Sequence, residues 1–347
     1  MKKSLIALAV AGAMTAPMIA QADATLYGSF RIGLEKVDNG DTGVDDQSSR
    51  VGIKGDVDLG LDGTKGLFHW EAQANNATGA DQSTALKTRL QYIGAQGDWG
   101  KLLIGKQYHP HYLLISGPTN IFNPGDGGYG ERFNLGNGVT GKSGHFMKRT
   151  EGTIAYYSPK MNGFQIIAGA VLLTDGDDNN DSIDDSVDAY NVAATYSANN
   201  LTVSASIGHI EGINDVDAAT LNANGSTTAE NVVDTNIEKD VWGLAAKYKL
   251  DALELMAKYE DAETDADSGE LADERVWELA ARYTMGATSV YARYADYEDK
   301  TDNTDLEQWG LGVQQKLGKG RVFAEYVDND SDDTNEDRAV LGYRVDF

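Results

Sequence analysis

The sequence predicts an all-β fold, an antiparallel transmembrane β-barrel of about sixteen strands. Three observations predict it. Segments of about ten residues alternate apolar and polar side chains along most of the chain. The connections between them alternate between short turn-forming runs and long polar stretches, the two-rim layout of bacterial outer-membrane barrels. The chain also ends on an alternating strand, with Ala339, Leu341, Tyr343, Val345 and Phe347 on one face and Arg338, Gly342, Arg344 and Asp346 on the other. A strand with lipid outside and water inside accommodates a terminal apolar face of this kind. Closing the sheet also leaves no edge to cover.

The first residues read as a secretory leader. Lys2 and Lys3 form a charged start, Ser4 to Met14 is a short apolar core, and Ala20-Gln21-Ala22 is an A-x-A cleavage site. Residues 1–22 are therefore expected to be removed, and 23–347 to form one barrel domain. The apolar core is too short to cross a bilayer as a helix.

From there the strands follow in order. Leu26, Gly28, Phe30, Ile32 and Leu34 oppose Tyr27, Ser29, Arg31 and Glu35. Val51, Ile53, Val57 and Leu59 oppose Arg50, Lys54, Asp56 and Asp58. Phe68, Trp70 and Ala72 oppose His69, Glu71 and Gln73. Later segments repeat the pattern: Trp242 to Tyr248, Leu253 to Tyr259, Trp277 to Tyr283 and Val290 to Tyr294.

Short turns are expected at 61–63, 97–100, 158–163, 198–200, 250–252, 285–287 and 317–320, where Gly, Asn, Asp and Pro supply turn geometry. Long loops are expected near 37–48, 76–86, 109–150, 174–187, 212–237, 262–273, 299–304 and 328–336.

Composition narrows the function classes. The 347 residues contain no cysteine, so an exported chain must be held by its core or by a closed hydrogen-bond ladder. The formal charge is −25, which argues against a nucleic-acid partner. A mean hydropathy of −0.41 argues against helical membrane spans but not against a barrel, whose lumen face is polar.

Several runs resemble the Gram-negative general diffusion porins. They are Ala24-Thr25-Leu26-Tyr27-Gly28, Ser49 to Gly55 with Asp58-Leu59-Gly60, and Arg89 to Gly94. Gly105 to Tyr108, Ile154 to Pro159 and the closing Gly342 to Phe347 match as well. The resemblance implies a trimeric barrel in the outer membrane of a Gram-negative bacterium, with a long third loop folded into the pore. It also implies passive diffusion of ions and small hydrophilic solutes, without enzymatic chemistry. The implied partners are further copies of the chain, outer-membrane lipid and lipopolysaccharide, and the barrel-assembly machinery, which would read Tyr343, Val345 and Phe347. No cofactor is implied.

The same resemblance implies a filter in which wall arginines face carboxylates on the third loop. Opposed charges across a narrow watery gap create a transverse field. Arg50 and Arg89 match the wall arginines, and Arg31 stands one inward step beyond Ser29, where some members carry a lysine. Tyr157 occupies a position where another arginine often sits; Lys148, Arg149 and Arg132 are candidates to replace it. Asp126 and Glu131 match the acidic loop. Two other readings remain: a solute-specific channel, and a structural or adhesion barrel with acidic loops that bind Ca²⁺. Asp175, Asp177 and Asp181 have oxygen-ligand spacing for Ca²⁺ or Mg²⁺. They lack the glycine and the twelfth-position acid of a Ca²⁺ loop, so a solvated acidic face is the simpler reading.

Other motif matches lack the context their chemistry needs. Gly136 to Ser143 fits a phosphate-cradling loop, and Gly125 to Gly130 a dinucleotide fingerprint, but neither is framed by a strand and a helix. His109 and His111 have no evident third metal ligand.

Overall fold

The computed structural model describes residues 22–38, 40–61, 63–74, 86–123, 133–135, 148–172, 187–210, 237–266, 269–301, 303–331 and 337–347. Their strands are β1 (Ala22–Val37), β2 (Thr42–Asp46), β3 (Arg50–Leu61), β4 (Thr64–Gln73), β5 (Lys87–Gly97) and β6 (Gly100–Tyr108). Then come β7 (Arg149–Thr150), β8 (Thr153–Tyr157), β9 (Phe164–Val171), β10 (Ala189–Ala198), β11 (Leu201–Ile210) and β12 (Ile237–Leu250). The last six are β13 (Leu253–Ala266), β14 (Gly269–Met285), β15 (Thr288–Asp299), β16 (Thr304–Leu317), β17 (Gly320–Ser331) and β18 (Arg338–Asp346).

All pair antiparallel in one closed sheet. The segments β2 and β3 form one pass interrupted at residues 47–49, and β7 and β8 another interrupted at 151–152, so the barrel has sixteen passes. The last strand closes on the first, from Ser29 opposite Asp346 to Val37 opposite Arg338. Reciprocal backbone bonds of 3.1 Å between Gly28 and Phe347 finish the seam.

The expected turns lie where the spacing puts them, with Gly63, Asn162, Gly163, Asn199, Asp251, Gly286 and Gly318 in the left-handed region. Two expected loops are corrected. Residues 262–273 are mostly strand, because β13 and β14 run on to Ala266 and from Gly269. Their ladder continues where the outward residues are charged, Glu263, Asp265 and Asp273, while the inward Ala262, Thr264 and Ala272 stay buried, so the apolar outer half of the alternation disappears although the pairing does not. Within 37–48, Thr42–Asp46 likewise pairs with β1.

The outer face carries the apolar half of the pattern. Leu26, Ile93 and Leu341 are each more than 60% exposed, which only lipid makes tolerable in such numbers. Glycine allows close packing inside: a Cβ on Gly342 would fall 2.1 Å from the Phe323 ring.

Three consecutive hairpins repeat one design. Trp242, Trp277 and Trp309 stand directly opposite Asp261, Asp296 and Asp328. Each indole meets a tyrosine, Tyr259, Tyr294 or Tyr326, at 5.2, 5.1 and 5.4 Å between ring centroids. Tryptophan and tyrosine favour the membrane–water interface, so this row marks the edge of the apolar band. The runs behind it are Met256-Ala257-Lys258-Tyr259-Glu260-Asp261, Tyr291-Ala292-Arg293-Tyr294-Ala295-Asp296 and Phe323-Ala324-Glu325-Tyr326-Val327-Asp328.

Candidate functional site

After β6 the chain turns into the lumen through a single π-helical turn, Tyr112–Ser116, and a 3₁₀ turn, Gly117–Thr119. Its described part lies against the wall made by β11 to β17. His111 Nδ1 is 3.2 Å from Ser206 Oγ, and Ser116 Oγ donates to Glu260 at 2.6 Å. The Arg282 guanidinium donates to the carbonyl of Ile121 at 2.8 Å, and Asn123 donates to Glu325 from its backbone and its side chain at 2.9 and 3.0 Å.

The repeated hairpins supply most of these grips. Their equivalent inward residues are Lys258, Arg293 and Glu325. Lys258 Nζ donates to the carbonyl of Phe133 at 2.5 Å and to Asn134 at 3.0 Å, Arg293 lies over the Phe122 ring at 5.8 Å, and Glu325 holds Asn123. Lys258 and Glu260 are fully buried and 3.4 Å apart, and Glu278 approaches the ammonium at 3.1 Å. Buried charges of this kind persist only when paired and hydrogen-bonded.

His109 is also fully buried. Burial, with His111 beside it, pushes its imidazole down to about 3, so it is neutral at ordinary pH. Among the described residues no group of three or more His, Asp or Glu side chains could hold a metal ion.

Roughly half the circumference away, β1, β3 and β5 carry Arg31, Arg50 and Arg89. The three expected wall arginines do come together, and backbone irregularities present them. Ser48, at φ 66°, forms the kink between β2 and β3, and its carbonyl accepts from Arg50 Nε at 3.3 Å. Arg89 shares its sequence parity with the lipid-facing Ile93. A register shift in the β4–β5 ladder, with Glu71 opposite Leu90 but Ala72 opposite Thr88, leaves Arg89 unpaired and turns it inward. Gly152, at φ 61°, lies in the break between β7 and β8 just beyond Arg149, whose guanidinium stacks 5.6 Å from the Tyr108 ring centroid. Arg149 thus places cationic charge beside Arg89, whereas Tyr157 lies at the short-turn end of the same pass, opposite Lys101.

Sequence reasoning treated Glu71 only as a lumen residue; the structure makes it the hub of the cluster. Its carboxylate accepts from Arg89 Nε at 2.8 Å and lies 3.8 Å from Arg50. Arg89 also donates to Gln73 at 3.1 Å and to Tyr108 at 3.4 Å. Tyr27 gives its only hydroxyl hydrogen to Glu71 at 2.8 Å. Its 2.5 Å contact with His69 Nε2 therefore needs the imidazole to donate there, which leaves Nδ1 to accept from Tyr92 at 2.8 Å. The Tyr27 ring lies over Gly52, where a Cβ would come within 2.7 Å of it. The signal for this support was the inward parity of Tyr27, His69 and Glu71.

The expected loop acids Asp126 and Glu131 lie outside the described residues, as do Arg132, the Asp175, Asp177 and Asp181 cluster, both glycine-rich motif matches and all of the leader but Ala22. The C-terminal Tyr343 and Phe347 are half exposed on the outer face, and Phe347 stacks on Phe30 at 5.7 Å. Val345 is directly opposite Phe30.

The fold and the sequence both have relatives. The chain is 39% identical over 119 residues to major outer membrane protein P.IB of Neisseria meningitidis, an alignment covering 30% of this chain. In it the chain spans about a third (34%) of that relative's length. Two solved structures share the fold. An anion-selective porin from Comamonas acidovorans gives a TM-score of 0.76 at 18% identity, covering 94% of this chain and 100% of that one. The trimer form of Vibrio cholerae OmpT gives 0.71 at 18% identity, with the same coverage. A family model of Gram-negative porins matches residues 7–334, which agrees with the expected outer-membrane location; the chain belongs to the Gram-negative porin family.

Proposed function

We propose that the chain forms a water-filled outer-membrane channel through which ions and small hydrophilic solutes diffuse passively, with a preference for anions. One observation carries the sign. Arg31, Arg50, Arg89 and Arg149 share one stretch of wall, and among the described residues the only acid in direct contact with them is Glu71, while the described part of the inward loop is held on the other side. The chain's −25 charge suggests the opposite sign. Salt screens charge over ~8–10 Å, so the sign at the constriction is set by the groups that line it and not by the net charge of the chain. Asp126 and Glu131 serve as the facing acids in this reading. Passage makes and breaks no bond, so the channel needs no catalytic group and no cofactor.

The assembled form in this reading is a homotrimer, seated in lipopolysaccharide and lipid and inserted by the barrel-assembly machinery. Single-channel recording in planar bilayers tests it: conductance with closures in three equal steps is expected. A purified, folded barrel that never conducts would favour the structural or adhesion reading instead.

The terminal residue is proposed to serve assembly as well as closure. Deleting Phe347 removes two seam hydrogen bonds, each worth about 1 kcal/mol, and the ring that stacks on Phe30. The yield of heat-modifiable folded barrel in cells should fall severalfold. Unchanged yield would remove Phe347 from the assembly signal.

A further inference from the structure

From the wall arginine Arg31 toward the short-turn rim, the ladders add two more cationic positions to one row. Arg31 on β1 is directly opposite Arg344 on β18, and Arg344 is directly opposite Arg321 on β17. Neighbouring strands are about 4.8 Å apart, so three cationic side chains stand abreast within ~10 Å. Arg321 is one residue inside the short turn 317–320, whereas Arg31 lies two residues from Ser29, the partner of Arg50. Because barrel strands tilt, the row climbs from the short-turn mouth to the proposed filter.

The row is short of acceptors. Among the described residues Asp346 alone serves two of the three, accepting from Arg344 Nε at 2.7 Å and from Arg321 at 3.0 Å. Arg321 Nε is buried without a partner. Arg31 is only 5% exposed, and its guanidinium makes one bond, from Nε to Ser29 Oγ at 2.9 Å. Among the described residues no acceptor meets its two terminal nitrogens; Arg50, Arg344 and Arg89 are all close enough to repel its charge, and Asp346 is close enough to attract it without bonding to it. A buried guanidinium with an unused planar fork matches the paired oxygens of a carboxylate, sulfate or phosphate. Three positive groups against one carboxylate leave a charge of two to neutralise.

We infer that Arg31, Arg344 and Arg321 form a lumen binding site for divalent oxyanions that runs from the wall of the constriction toward the short-turn mouth. This rests on the channel reading above and deepens it: a solute passing the filter finds a second, tighter resting place. Chloride, which cannot bridge two guanidinium forks, passes with little retention. The site gives the barrel a measure of solute specificity that a field alone does not provide.

Sulfate tests this, because its charge stays at two across the working pH range. In planar bilayers, sulfate added to a chloride solution should reduce the chloride current saturably, with half-effect on the order of a millimolar. The double variant Arg344→Gln with Arg321→Gln should need at least tenfold more sulfate, while its chloride conductance reports a folded, open barrel. Arg31→Lys, which keeps the charge but removes the fork, should also weaken the effect. The inference is overturned if sulfate acts without saturation, or equally on wild type and the double variant. The channel reading fails separately if the wild-type protein shows no anion preference in a chloride gradient; if that preference is present and only the sulfate effect is missing, the filter stands and the second site does not.

Discussion

Replacing Arg50 and Arg89 with alanine together will move the reversal potential in a potassium chloride gradient toward the potassium equilibrium value. A unit charge ~8 Å from a passing ion, in water-like surroundings, is worth about 0.5 kcal/mol, so the pair contributes about 1 kcal/mol. The pair attracts chloride and repels potassium by that amount each, so the chloride-to-potassium permeability ratio should fall roughly thirtyfold. The change should exceed this, because both replacements leave the Glu71 carboxylate without its cationic neighbours, and a cation in transit can take their place. Glu71→Gln in the same background separates the two contributions: it should return part of the lost anion preference. An unchanged reversal potential in the double variant would remove both arginines from the filter.

Lys258→Met should loosen the inward loop more than any single change elsewhere. The ammonium is fully buried among Glu260, Glu278 and the 133–134 backbone and amide oxygens. Removing it leaves two buried carboxylates facing each other, a defect of about 3–5 kcal/mol when one member of a buried pair is lost. The barrel ladder itself is untouched, so the loop yields first. Glu260 then loses its hold on Ser116 and on the backbone amide of Leu135, bonds of 2.6 and 2.7 Å. The expected readouts are a larger, noisier open-channel conductance and protease cleavage within 109–150, with the outer strands still protected. Wild-type conductance and protease resistance in the variant would show that the loop is held by other contacts.

The strands, their turns and the closure of β18 on β1 were legible because a membrane barrel writes its two solvents directly into alternate residues. The rule weakens where one solvent is replaced. Beyond the aromatic row the outward face of β13 and β14 carries acids in place of apolar residues, so 262–273 reads as a loop although Glu263 and Asp273 are partners in paired strands. The filter was legible less directly. Arg50 has the inward parity of its strand, but Arg89 has the parity of Ile93, and only a register shift invisible in the sequence turns it inward. Resemblance to the family pointed to it as a wall arginine; alternation alone would have placed it in lipid.

The hairpin repeat shows a different limit. Lys258, Arg293 and Glu325 occupy equivalent positions, yet they differ in charge and sit in strands read one at a time. Their shared task is to hold the loop from three neighbouring hairpins, and it becomes visible only when Trp242, Trp277 and Trp309 are aligned on Asp261, Asp296 and Asp328. Glu71 was seen as a lumen residue but not as the partner of two arginines, because the pairing depends on ladder register between β3, β4 and β5.

The sign of the wild-type reversal potential, measured across a bilayer holding the purified protein in a tenfold potassium chloride gradient, tests the central claim most directly. A potential displaced toward the chloride equilibrium value is predicted, since the wall arginines set the local field despite the acidic chain. A potential displaced toward potassium would mean that the loop acids or the outer loops govern passage, and would contradict the assignment of Arg31, Arg50 and Arg89 as the filter.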